Sequence, residues 1–165
     1  MEKQGFSIIE LMVTVVIMGV LAAVAVPKLF GFMAKSKASE LSVAAGTYIK
    51  MQDVYIHEHS KGGNWSSIGY KSPAGNTTGK ASTTNFEYDA AQTTYNWTAT
   101  SNVSLNDCAK GKKWFINYSL GDSPHHLKYW ASSDDPTNCI ASLTPNFSKL
   151  STTNTAITEP GETSL

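Results

Sequence analysis

One uninterrupted apolar stretch near the start of this 165-residue chain restricts its structure more than any other feature. From Phe6 to Val26, 17 of 21 residues are apolar, and the exceptions are Ser7, Glu10, Thr14 and Gly19. At about 1.5 Å rise per residue, a helix of that length reaches about 31 Å, close to the roughly 30 Å hydrocarbon core of a bilayer. Such a segment either enters a membrane or is buried among other helices. The rest of the chain is of a different kind. From Ser60 onward, 48 of 106 residues are Ser, Thr, Asn or Gly, a composition of turns and polar strands. The whole chain has 13 lysines, no arginine and 13 acidic residues, so its formal net charge is zero. Only 16% of its residues are charged, against about 25% in an average soluble domain. A dedicated nucleic-acid binder carries a basic face, which this balance argues against.

Glu10 separates the readings of the apolar run. A secretory signal peptide would use Lys3 as its positive end and Ala23-Val24-Ala25 as a small-x-small cleavage site, yet it has no use for a carboxylate in its apolar region. A plain membrane anchor accounts for the length but gains nothing from a charge that costs about 2.5–3.5 kcal/mol at the bilayer centre. Ser7-Ile8-Ile9-Glu10 also fits a capping box, S-x-x-E ahead of an apolar run, which leaves Gly5-Phe6 and the bilayer length unexplained. Thr14 is expected to return its hydroxyl to the Glu10 carbonyl. Gly19 and Pro27 weaken a helix by about 1 and 3 kcal/mol respectively.

The segment Gly5-Phe6-Ser7-Ile8-Ile9-Glu10-Leu11-Met12 resembles the leader junction and N-terminal helix of type IV pilins and of their relatives, the type II secretion pseudopilins. The resemblance continues through Gly19, Ala22-Ala23 and Pro27, and more loosely through Met33–Glu40. It implies a polar leader, residues 1–5, removed by a prepilin peptidase at Gly5/Phe6, with N-methylation of Phe6. It also implies a homopolymer in which Glu10 neutralises the Phe6 amine of a neighbouring subunit. A missing partner is heavily penalised in a low-dielectric core, so this pair acts as a registration device. Gly19 and Pro27 would then lend the helix flexibility during assembly. An assembly ATPase and a platform protein are further partners implied by the resemblance. So is a single-pass precursor in the inner membrane with its head in the periplasm, followed by a cell-surface pilus. Positive-inside counting points the other way, because Lys28, Lys35 and Lys37 follow the span and only Lys3 precedes it.

The chain divides into residues 1–5 (leader), 6–27 (transmembrane or filament-core helix), 28–59 (amphipathic helix) and 60–165 (β-rich head). The fold class is α+β, a long N-terminal helix packed on a small antiparallel sheet. After Pro27, Leu41, Ala44/Ala45, Tyr48, Met51/Gln52 and Tyr55 recur at helical spacing; the Tyr48/Tyr55 stripe is expected to meet the sheet, and Gly62-Gly63 to end the helix. Period-2 patterning predicts strands at Asn85–Tyr88, Thr94–Thr100, Lys113–Ser119 and His126–Ser132, the last two forming a hairpin. Lys61–Thr84 reads as a loop, and Ser151–Leu165 as a strand fragment or a frayed end.

In an exported domain a lone pair of cysteines, Cys108 and Cys139, is most simply a disulfide, and one near the C-terminal end resembles the staple of pilin heads. His57-Glu58-His59 places its histidines on opposite helix faces, and Asp134-Asp135 supplies too few oxygens for calcium, so no metal and no cofactor are expected. No catalytic grouping emerges either. Among the aromatic residues, Trp65 in its Gly/Ser loop is the candidate for stacking against a sugar. The reading that results is a filament subunit. A type II secretion pseudopilin is the alternative within the family, and an exported carbohydrate-binding module with an ordinary signal peptide is the alternative from another class.

Overall fold

The computed structural model describes residues 5–91, 96–121 and 125–152. Its first element is a single helix of 52 residues, α1 (Ile8–His59), running without a break through Gly19 and Pro27. Proline at position 27 removes one backbone donor, but the remaining bonds of so long a helix carry it past that point. The stop comes two residues before the expected Gly62-Gly63. Ser60 takes the left-handed conformation (φ 54°) and its N–H donates to the Ile56 carbonyl at 2.8 Å, the usual way of satisfying orphaned carbonyls at a helix end. The two glycines serve another purpose. A Cβ on Gly62 would sit inside the Tyr118 ring, and one on Gly63 would approach Ile68 Cγ2 to 2.7 Å.

Five strands follow: β1 (Lys80–Ser82), β2 (Phe86–Asp89), β3 (Trp97–Ser101), β4 (Lys113–Leu120) and β5 (Leu127–Ser133). They form one antiparallel meander in sequence order. The β4–β5 hairpin is as expected, with Ile116 opposite Ala131 and Tyr118 opposite Tyr129. Strand β1 is a correction, since it falls in the stretch read as loop. Three residues with one apolar member carry no readable alternation, and such short, charged strands are typical of sheet edges; here Lys80 bonds Glu87 and Asp89 on β2. Thr94 and Tyr95, expected in the second predicted strand, lie outside the described residues, as do residues 1–4 of the leader and 153–165 of the tail. Ser151 and Thr152 lie against the edge of β5, where Thr152 N–H donates to the Tyr129 carbonyl and Tyr129 N–H to Thr152 Oγ1.

The second half of α1 packs across one face of the sheet. Its buried stripe is Ala34, Ala38, Leu41, Ala44, Ala45, Tyr48, Gln52 and Ile56, built on the three- and four-residue steps of a core-facing helix. It begins earlier than the sequence pattern indicated and ends on Ile56, with Tyr55 only half-buried. Alanines let the sheet come close, and aromatic residues fill the remaining space: Phe86, Tyr88, Trp97, Trp114 and Tyr129 are all buried.

Polar groups stitch this seam. Tyr88 donates its hydroxyl to Glu40 Oε1 and Tyr129 to Asp53 Oδ1, each at 2.7 Å. Tyr70 donates to the Ala44 carbonyl at 3.2 Å while accepting from Trp97 Nε1 at 2.9 Å. Gln52, wholly buried, donates to Tyr48 and to the Gly63 carbonyl and accepts from Gly63 N–H, tying the chain after the helix back to it. Buried polar groups paired in this way avoid the large penalty of an unmade bond.

The far side of the core is closed covalently. Cys108 and Cys139 are joined, with Cα atoms 4.9 Å apart. The bridge holds a short π-helical segment (Pro136–Ala141) to the chain leading into β4, so its loop encloses the β4–β5 hairpin. Trp114 Nε1 donates to Thr144 Oγ1, which donates to the Cys139 carbonyl.

Two predictions follow from this packing. Replacing both cysteines by alanine should lower stability by about 3–4 kcal/mol, the chain-entropy value for a loop of this size, measurable by urea unfolding. The second concerns alkali. Burial pushes the Tyr70 hydroxyl up to about 12, partly offset by the bond from Trp97, and drives Tyr48, Tyr88 and Tyr129 higher still. For Tyr88 and Tyr129 the carboxylate accepting the proton adds to the effect of burial. The folded state thus holds protons that the unfolded chain loses near pH ~10, so stability is complete below that pH and falls as pH rises through the folded values. Ultraviolet titration should find these four tyrosines protonated in the folded protein at about pH 11 and ionised once it unfolds.

Candidate functional site

The first half of α1 has no cover from the other described residues. Phe6 is 81% exposed, Leu21 65% and Phe32 70%, and the helix is long and apolar enough to cross a membrane. Each such side chain gains about 1.5–3 kcal/mol when taken out of water. A row of them reaching from Phe6 to Met33 therefore demands lipid or protein around it.

At its tip, Ser7 is extended (φ −76°, ψ 140°) and acts as N-cap, with Glu10 at the third helical position. Ser7 N–H donates to Glu10 Oε2 at 3.0 Å. In the isolated subunit, then, the carboxylate occupies a capping box and lies near the positive end of the helix dipole. Phe6, Ile9, Glu10, Val13 and Thr14 line an open depression beside it. Thr14 bonds the Leu11 carbonyl at 2.8 Å in place of that of Glu10: its hydroxyl reaches three residues back, where four were expected. Gly5, Phe6 and Glu10 are thus gathered at one end, while Gly19 and Pro27 lie along an exposed and continuous helix.

Trp65 is corrected. It is 2% exposed, packs edge-on against Tyr70 at 4.9 Å and donates Nε1–H to the Asn96 carbonyl at 2.9 Å. With the ring removed from solvent and its N–H engaged inside the molecule, no open face is offered to a sugar. The loop that carries it folds inward because Asn64 Oδ1 holds Ser67 N–H and Oγ in a tight turn.

The other polar clusters serve the fold. Asp134 accepts from Lys113 N–H at 3.0 Å, and Asp135 caps the π-helical segment by accepting from Asn138 N–H at 3.1 Å. The Asn138 backbone bond, then its side-chain amide, hold the Asp135 carboxyl below its ordinary value. His57 and His125 meet as stacked rings 6.2 Å apart, a contact between distant segments that local spacing does not reveal. Among the described residues no three His, Cys, Asp or Glu side chains converge on a point that could hold a metal. Gln52 lies on the stripe expected from the helical spacing, whereas the seam roles of Glu40 and Asp53 went unread; their signal was an acidic residue beside that stripe, facing a tyrosine-rich sheet.

The architecture is thus a membrane-length apolar helix, uncovered by the other described residues, whose far half carries a disulfide-closed antiparallel head. Residues 1–26 match the prokaryotic N-terminal methylation motif. The chain is 30% identical over 120 residues to a fimbrial protein of Dichelobacter nodosus, covering 72% of this chain and 69% of that one. It is 35% identical over 79 residues to the type IV major pilin PilA of Myxococcus xanthus, and 34% over 79 residues to the type IV major pilin PilE1 of Neisseria gonorrhoeae. Those two matches take in 47% of this chain but only 36% and 48% of the relatives, less than half of either. The chain belongs to the type IV pilin family. Its relatives are structural pilins rather than enzymes.

Proposed function

We propose that the protein is made as a single-pass inner-membrane precursor with its head in the periplasm, and is then assembled into a pilus filament. A prepilin peptidase cuts at Gly5/Phe6 and Phe6 is N-methylated. An assembly ATPase and a platform protein drive extraction and stacking. The reading is carried by the apolar half of α1, which is bare in the subunit and can be covered by the same segment of many neighbours.

Cleavage would leave an ammonium on Phe6 one helical turn from Glu10. Within one chain, Glu10 already serves the helix start by accepting from Ser7 N–H. In a stack, the carboxylate would turn to the Phe6 amine of an adjacent subunit. A pair of opposite charges in that apolar core is far cheaper than either alone, so the pair favours one axial offset over others. Gly19 and Pro27 would let the helix loosen between them as it leaves the bilayer. Residues 28–59 then carry the head on the outside.

Mass spectrometry of the mature N-terminus tests the processing. N-methyl-Phe6 is expected, and a chain beginning at Val26 would instead mark an ordinary signal peptide. Glu10→Val should leave the precursor inserted and cleaved while filament yield on sheared cells drops by at least tenfold; normal filaments would refute the registration role.

A further inference from the structure

Three lysines, Lys28, Lys35 and Lys37, stand on α1 directly after the apolar run, and no acidic residue occurs between Glu10 and Glu40. All three are exposed. None forms an ion pair among the described residues: Glu40, three residues beyond Lys37, accepts the Tyr88 hydroxyl, and Glu87 and Asp89 on β2 meet Lys80. Lys28 and Lys35, seven residues apart, share one side of the helix, and Lys37, nine from Lys28, falls on the other. The stripe covered by the sheet, which starts at Ala34 and Ala38, runs between those two sides. The lysines thus form a collar at the level where the head begins, and the exposed Phe30 and Phe32 lie within it. From Phe6 to Met33 the rod measures about 40 Å, longer than the roughly 30 Å hydrocarbon core and near the thickness of a whole bilayer. A span that exceeds the core tilts to fit, which brings the collar down toward the membrane surface. Side chains on a helix lean toward its N-terminus, here toward the bilayer, so the ammonium groups reach back to the headgroups while their methylenes lie along the rod.

We propose that this collar binds the phosphates of anionic phospholipids in the leaflet on the head side of the membrane. The inference rests on the single-pass reading of the precursor. A zwitterionic headgroup carries its own ammonium beside the phosphate, whereas an anionic one leaves a net charge for Lys28, Lys35 and Lys37 to meet. Each basic residue at such a surface adds to the attraction, and salt screens it. Phe30 and Phe32 enter the acyl boundary between the lysines and fix the depth. Positive-inside counting set these lysines against a head outside the cell membrane; a headgroup contact gives them a use on that side. The contact holds the precursor at one depth and is given up when the helix leaves the bilayer for the filament.

The test uses the full-length chain reconstituted in phosphatidylcholine vesicles, with spin-labelled phosphatidylglycerol and spin-labelled phosphatidylcholine as probes and the protein-restricted fraction of each read by electron paramagnetic resonance. Wild type should associate with phosphatidylglycerol roughly threefold or more above phosphatidylcholine, and high salt should shrink that preference. The triple variant Lys28→Gln, Lys35→Gln, Lys37→Gln should insert equally well and lose the preference. A second triple variant in the head, Lys61→Gln, Lys71→Gln, Lys110→Gln, makes the same change in net charge and should keep it. Flotation with the vesicles separates two kinds of failure. A chain that does not float would refute the membrane reading and the collar with it. A chain that floats but shows equal association of the two lipids would overturn the collar alone, as would a preference kept by the first triple variant or lost equally by the second. Equal association together with loss of filaments by the first variant would assign the lysines to a neighbouring subunit's carboxylates instead, and also overturns the proposal.

Discussion

Everything in this subunit hangs on one helix having two different kinds of cover. From Ala34 onward α1 is clothed by its own sheet, with Ala38, Leu41, Ala45 and Ile56 fully removed from solvent. Before that point the same helix is left uncovered by the other described residues, an apolar rod of about 30 Å. The proposed reading supplies that cover from outside the chain, first as lipid and then as other copies. An apolar surface in lipid has no hydrophobic reason to leave it, so close packing and specific polar contacts have to favour the stacked state. In the proposed assembly that contact falls to Glu10, the carboxylate within the apolar run.

The covered half solves a related problem. Under the proposed extraction, a helix pulled through its bare end would need a head that does not slide along it. Apolar contacts alone are weakly directional, whereas Tyr88 on Glu40, Tyr129 on Asp53 and Tyr70 on the Ala44 carbonyl bond three separate levels of the helix. Gln52 adds a fourth through Gly63. Carboxylate acceptors make the stronger bonds of this set, and they stand at the two ends of the seam. The disulfide completes the arrangement by fixing the β4–β5 hairpin, whose buried side meets the helix and whose open side carries Trp130.

Much of this was legible in the sequence because the strongest signals are periodic or chemically singular. The apolar run, the lone carboxylate within it, the Lys113–Ser119 and His126–Ser132 alternation and the two cysteines each admit few structures. What escaped depends on contacts between distant residues. Strand β1 exists because Phe86–Asp89 offers it a partner, and its own three residues say little. The helix ended at a serine because the C-cap needed one residue with positive φ, while the glycines that seemed to mark the end were required for close approach to Tyr118 and Ile68. Trp65 was misread for a similar reason. A polar loop composition suggests exposure, but Tyr70 and the Asn96 carbonyl draw the ring inward, and the tryptophan left partly open is Trp130 on β5.

The state of Glu10 is the point on which the assembly reading turns. In the isolated chain its carboxylate is 3.0 Å from the backbone nitrogen of its own Ser7. The decisive measurement is a helical reconstruction of purified filaments at a resolution that shows side chains. The expected result is Glu10 within ion-pairing distance of the methylated Phe6 amine of an adjacent subunit. A filament in which Glu10 still caps its own helix, or faces a neighbour's apolar side chains, would contradict it.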